Sequence, residues 1–211
     1  MPSGLSNKSS QILSAMPKIP WNKKLVVGQK RAFTPEQIEL LRSVLQRQGA
    51  KRDLALLELG ISTMLRSIDL LRLRIKNVFD DHGNVVRTFM IRQAKTGELV
   101  TCDISKKARD ALEAYVATWH TLDLIREKKL FHMCRITYSR TVKLWATIMR
   151  LDPEAYSTHS VRRTLAAHIY AQSKDLEAIR QCLGHKSLAY TQAYLGVSHD
   201  QALGIKRKFD L

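Results

Sequence analysis

The spacing of apolar residues changes period twice along this chain, and no other feature restricts its fold as strongly. From Phe33 to Leu73 apolar residues recur at helical intervals. From Val85 to Ile104 they alternate with polar ones, as in strands that bury one face. Val85, Arg87, Phe89 and Ile91 share one side, and Val86, Thr88, Met90 and Arg92 the other. Val100, Cys102 and Ile104 then alternate with Thr101 and Asp103, and Ala94-Lys95-Thr96-Gly97 between the two runs reads as a tight turn. Val78-Phe79, joined through the turn Asp80-Asp81-His82-Gly83-Asn84, is expected to add a third strand. Past Ile104 the helical interval returns. The expected class is therefore α+β and mostly α-helical, with a small antiparallel three-stranded sheet packed by helices.

Local signals place the helices. Thr34 is a cap, Pro35 suits the first helical position and Gln37 completes a capping box, so a helix is expected over 34–47. The next, about 52–63, carries Leu54, Leu56, Leu57, Leu59 and Ile61 and should be central to the core. A short one follows over 67–73, and later ones over about 106–119, 139–150, 159–172, 176–183, 189–195 and 200–208, interrupted at Asp152-Pro153 and Gly184. Residues 1–32 differ: Pro17, Pro20 and Lys23-Lys24 suggest an extended basic arm or linker ahead of a domain over 33–211.

The chain has 35 Lys+Arg against 19 Asp+Glu, a formal net charge of +16, which points to a polyanionic partner and above all to nucleic acid. No run approaches the roughly 18 apolar residues that span a bilayer, and Met-Pro-Ser-Gly-Leu at the start lacks the order of a secretory signal, so no membrane is expected. Cys102, Cys134 and Cys182 are odd in number and far apart, which indicates neither a disulfide framework nor a zinc site. The expected setting is reducing and cytoplasmic, in a bacterial cell or the DNA compartment of a host.

Four segments carry candidate chemistry. His159 and Arg162, three apart, share a helical face and can aim an imidazole and a guanidinium at one phosphate diester; a surface histidine beside a solvated arginine would look the same. His185 and Tyr194 lie nine residues apart, about 900° of rotation in an unbroken helix, so they meet only if the chain bends between them; Gly184 is placed to end the first helix with a left-handed residue. A late tyrosine on a helix is otherwise a core residue. Arg66 stands at a helix start, with Asp69 placed to orient its guanidinium, although a plain surface ion pair fits equally. Lys95 caps the hairpin turn. His168 reads as a packed histidine, and Trp119 and Trp145 as core or covering residues.

Taken in order, Arg66, Lys95, His159-x-x-Arg162, Leu183-Gly184-His185 and Tyr194 resemble the tyrosine recombinase (phage integrase) family. Arg66-Ser67-Ile68-Asp69-Leu70-Leu71-Arg72-Leu73 is similar to its first arginine box, with Asp69 where Glu is more usual. Gln93-Ala94-Lys95-Thr96-Gly97 is similar to its hairpin lysine, and Thr158 through His168 to its second box. Leu183-Gly184-His185 through Thr191-Gln192-Ala193-Tyr194 resembles its closing box with the same nine-residue gap. The resemblance covers roughly residues 33–200. Met64 departs from it, standing where the family often has Gly. Thirty-two leading residues cannot hold the separate helical DNA-clamping domain common in the family, so the chain resembles its short members, such as fimbrial-switch invertases, or is a fragment of a longer one.

The resemblance implies transesterification on double-stranded DNA without metal or other cofactor. Tyr194 would attack a backbone phosphate to give a 3′-phosphotyrosine and a free 5′-hydroxyl. Arg66 and Arg162 would grip the nonbridging oxygens, Lys95 would protonate the leaving oxygen, His159 would assist proton removal from Tyr194, and His185 would donate to a phosphate oxygen. Tyr190, four residues earlier, is the rival nucleophile. Arg140 and Lys143 are the candidate DNA-binding residues outside the site. The expected assembly is a homo-oligomer on paired sites, with the tail bearing Lys206-Arg207-Lys208 docked on a neighbouring subunit. A DNA-relaxing topoisomerase of the same chemistry and a non-catalytic DNA-binding regulator are the alternatives.

Overall fold

The computed structural model describes residues 29–119 and 126–196. Most of the expected arm, a helix over 200–208 and the basic tail Lys206-Arg207-Lys208 lie outside the described residues.

Helix α1 (Pro35–Arg47) begins as its sequence dictates. The Thr34 hydroxyl accepts from the Gln37 amide at 3.3 Å, the Gln37 side chain accepts from the Thr34 amide at 2.9 Å, and Pro35 occupies the first turn. It buries Ile38, Leu41 and Leu45, one face of a helix. Helix α2 (Lys51–Thr63) is buried without a break from Ala55 to Gly60 and packs against α1, α5 (Lys106–Val116) and α7 (Thr158–Ser173). It is the central helix that its run of leucines implies.

Helix α2 ends at Met64, a non-glycine residue in the left-handed region (φ 49°, ψ 29°). This conformation costs about 1–2 kcal/mol. Burial of the Met64 side chain against Ala166, Ile179 and Leu183 offsets it by about 1.5–3 kcal/mol. The turn releases the chain into Arg66 and the short helix α3 (Ser67–Leu70), which stops three residues before the expected end. Helix α4 (Ile75–Val78) was not expected.

Strands β1 (Thr88–Arg92) and β2 (Leu99–Asp103) pair antiparallel, with Phe89 opposite Cys102 and Ile91 opposite Val100 facing inward. The sheet has two strands, not three. Phe79 and Val85 form an isolated antiparallel bridge instead, because α4 occupies the chain up to Val78 and the turn closed by Asp80 brings back only one residue. The base of the hairpin is fastened to α2 by Ser62, whose hydroxyl donates to the Asp103 carbonyl at 2.9 Å and accepts from the Ser105 amide at 2.7 Å.

Helix α6 spans Arg135–Ile148, one turn earlier than expected, because the Cys134 thiol caps it by accepting from the Thr137 amide at 3.5 Å. Trp145 is fully buried on this helix. A 3-10 turn (Pro153–Ala155) leads to α7, followed by α8 (Leu176–Leu183) and α9 (Leu188–Leu195). Most of the core lies between α2 and its neighbours. Met64, Ala166, Ile179 and Leu183 form a second, smaller cluster behind the cleft described next.

Candidate active site

A cleft of about 850 Å³ opens where the start of α3, the hairpin turn, the first turns of α7, the break after α8, and α9 come together. Arg66, Lys95, His159, Arg162, His185 and Tyr194 all line it. Each arrives by a local device. Arg66 is the extended residue before α3. Ser157 caps α7 through the His159 amide at 3.2 Å, placing His159 and Arg162 on its opening turns. Gly184 closes α8 in the left-handed region (φ 61°, ψ 44°), and Ser187 restarts the chain as α9. The bend brings the His185 ring to 5.3 Å, edge-on, from the Tyr194 ring.

Arg162 is the most deeply set of the six, only 2% exposed. Its Nη2 donates to the Leu183 carbonyl at 2.8 Å, whereas Nη1 is buried with no hydrogen-bond partner among the described residues. A buried guanidinium with a free edge is a receptor for an anion. Gln93 supports it from the hairpin: its Nε2 donates to the same Leu183 carbonyl at 3.0 Å, and its Oε1 accepts from Arg66 Nη1 and from the Thr96 hydroxyl. Gln93, rather than Asp69, therefore holds the Arg66 guanidinium. Asp69 is fully buried, accepts from the Ala94 amide at 2.8 Å and pairs with Arg72 at 3.3 Å. It fixes the root of the hairpin turn that carries Lys95.

Tyr194 is half-buried. The guanidinium carbons of Arg163 and Arg162 lie 4.8 Å and 5.9 Å from its ring centre, and its hydroxyl donates to the His159 backbone carbonyl at 3.5 Å. Burial raises the phenol pKa, and the two guanidinium charges pull it back. Burial pushes Arg162 down to about 10, still cationic at neutral pH, and also lowers Arg66. His159, exposed at the rim, is held below its ordinary value by desolvation and then by Arg162, Arg163, Arg66 and Lys95. Burial, followed by the charges of Arg162 and Arg66, pushes His185 down to about 4. Both imidazoles are neutral at physiological pH.

The buried Thr191 hydroxyl lies 3.2 Å from His185 Nδ1. The same hydroxyl also reaches the Ser187 carbonyl at 3.5 Å; when its proton goes to Nδ1 instead, the ring proton sits on Nε2, a donor on a cleft-lining ring. Gln93, Arg163 and Thr191 are site residues that sequence reasoning did not assign. Tyr190 also reaches the cleft but is 68% exposed and carries no cation over its ring among the described residues. His168 is not packed: it projects to solvent on α7, 3.3 Å from the Gln172 amide, while Ala166 turns inward instead. Arg140 is exposed on α6, away from the cleft, and Lys143 is paired with Glu154.

The model of the phage integrase family matches residues 31–201, most of the chain. The chain belongs to the phage integrase family. The match begins just ahead of α1 and takes in all six cleft residues. Among curated proteins, the chain is 28% identical over 158 residues to the tyrosine recombinase XerD of Vibrio vulnificus (strain YJ016), covering 71% of this chain and 50% of that protein. The chain thus spans about half the length of the curated relatives it matches. Among solved structures, the XerH site-specific recombinase bound to palindromic difH substrate has a TM-score of 0.65 at 17% identity, covering 85% of this chain and 53% of that one. The catalytic domain of bacteriophage HP1 integrase has a TM-score of 0.54 at 16% identity, covering 86% and 96%. These two share the fold. No helix among the described residues is long and apolar enough to cross a membrane.

Proposed function

We propose that this chain is the catalytic domain of a site-specific DNA recombinase, cutting and rejoining double-stranded DNA through a 3′-phosphotyrosine at Tyr194. The observation that carries this reading is the buried, half-satisfied guanidinium of Arg162 in the same cleft as the Tyr194 phenol and Arg66. Arg162 and Arg66 would take the nonbridging oxygens of the scissile phosphate and stabilise the charge that grows there. The Tyr194 oxygen bonds to phosphorus and its proton passes to neutral His159. The bond to the 5′-oxygen breaks, and that oxygen takes a proton from Lys95. His185, through Nε2, would donate to a phosphate oxygen. The ester energy stays in the phosphotyrosine, so a second DNA hydroxyl reverses the steps. An ordinary phenol is about 0.1% ionised at pH 7, a deficit of roughly 4 kcal/mol that positioning and the base must offset.

The partner is double-stranded DNA. Arg140 would meet a phosphate directly, whereas Lys143 would first have to leave Glu154. The working form would be a homo-oligomer on paired sites, joined through the C-terminal tail. The test is covalent trapping on a nicked suicide substrate that carries the site recovered by footprinting genomic DNA. Tyr194→Phe should bind that DNA and form no adduct, and Tyr190→Phe should form it. An adduct from Tyr194→Phe would overturn the assignment.

A further inference from the structure

We propose that Gln29 and Arg163 are positioning residues that clamp the chain entering the domain onto the nucleophile helix, so that this entering segment sets where the Tyr194 hydroxyl lies. The inference rests on the reading of Tyr194 as nucleophile. Helix α9 has eight residues and buries only Thr191 among them. A helix so short has little stability of its own, and its placement depends on what holds its ends.

The side-chain amide of Gln29 holds one end. Its Nε2 donates to the Ala193 carbonyl at 2.7 Å and to the Tyr194 carbonyl at 2.5 Å. Both belong to the last turn, where the Ala193 carbonyl otherwise accepts, among the described residues, only from the Gly196 cap amide, at 3.3 Å. The fit is close: Gly196 ends α9 with a left-handed φ of 74°, and a Cβ there would lie 2.6 Å from Gln29 Oε1. Arg163 makes the second connection. Its Nη1 donates to the Lys30 carbonyl, while its guanidinium lies over the Tyr194 ring. Residues just beyond are fixed to the body of the domain. The Arg31 amide donates to the Ala155 carbonyl at 3.0 Å, the Phe33 amide to the Thr164 hydroxyl at 3.2 Å, and Phe33 stacks on Tyr156 at 4.6 Å. Gln29 thus reaches α9 from a segment anchored two residues later, and a pull on the chain ahead of Gln29 is passed to the backbone of Tyr194 itself.

The test uses the full chain and single-turnover adduct formation on the nicked site at saturating DNA. Gln29→Met keeps the length and loses the donor. It is expected to slow adduct formation about ten-fold, with DNA affinity within about two-fold of the parent. Arg163→Gln should also be slower, and the rising limb of its pH–rate profile should move to higher pH, since a cation has left the phenol ring; lost packing alone would leave that limb in place. Should Arg163→Gln fail to fold, Gln29→Met decides, because its side chain is exposed. A parent-like rate in Gln29→Met overturns the clamp. Tyr194→Phe is run in parallel: an adduct there overturns the nucleophile instead, so the two failures are distinct.

Discussion

Gln93 and Arg162 meet on one oxygen, the carbonyl of Leu183, at 3.0 Å and 2.8 Å. The other end of the Gln93 amide accepts from Arg66. One buried side chain therefore spaces two guanidiniums that approach from opposite halves of the sequence.

Replacing that amide should separate the arginines. In Gln93→Leu, Arg66 loses its acceptor, and the rate of covalent adduct formation at saturating DNA is expected to fall about 10- to 100-fold. Affinity for DNA should change less, because Arg162 keeps Leu183. Single-turnover trapping alongside equilibrium binding measures both, and an unchanged rate would mean that Arg66 is placed by something else.

Thr191 should act through His185. Thr191→Val keeps the volume and removes the hydroxyl 3.2 Å from Nδ1, freeing the choice of tautomer. Adduct formation should slow about ten-fold, and Thr191→Ser should restore most of it. Nitrogen chemical shifts of the His185 ring report the tautomer directly; a ring unchanged by Thr191→Val would exclude this role.

Gly184 answers to two demands at once. Its φ of 61° disfavours any side chain, and a Cβ would fall 2.8 Å from Gln93 Nε2. Gly184→Ala should lose about 1–2 kcal/mol in urea unfolding from the backbone alone, together with adduct rate as Gln93 shifts. Stability lost with a parent-like rate would show that Gln93 can move without disturbing the arginines.

Acid should weaken the fold through the two imidazoles. His185 is depressed from about 6.5 to about 4 and His159 is also lowered, so between these values the unfolded chain binds more protons than the native one. Stability is then full above pH 6.5 and declines as pH falls towards 4. The His185 share is on the order of 2 kcal/mol after allowance for solvent screening. Urea midpoints across this window should show the decline, and His185→Gln should flatten it. A slope unchanged by that substitution would remove His185 as its source.

The six cleft residues were legible in the sequence through their order, which resembles the phage integrase boxes; the three-residue spacing of His159 and Arg162, the glycine break before His185, the helix start at Arg66 and the hairpin turn at Lys95 each fit an ordinary surface or core residue when taken alone. Their supports were not. Gln93 acts on a carbonyl 90 positions away and Gln29 on carbonyls 164 and 165 away, and backbone acceptors leave no mark in residue type. Asp69 was placed correctly and given the wrong partner, since its spacing to Arg66 said nothing of the Ala94 amide. The third strand failed because alternation at Val85 fits a lone bridge as well as a ladder. The first turn of α6 was missed because cysteine is an unusual cap.

Leu183 offers its carbonyl to Gln93 and Arg162 and its side chain to the cluster of Met64, Ala166 and Ile179. The floor of the cleft is thus the back wall of a small hydrocarbon core. Trimming a methyl group there would be felt as a misplaced arginine before it registered as a lower melting point. If the proposed strand exchange is what the chain performs, selection on its rate reaches aliphatic side chains set behind the cleft.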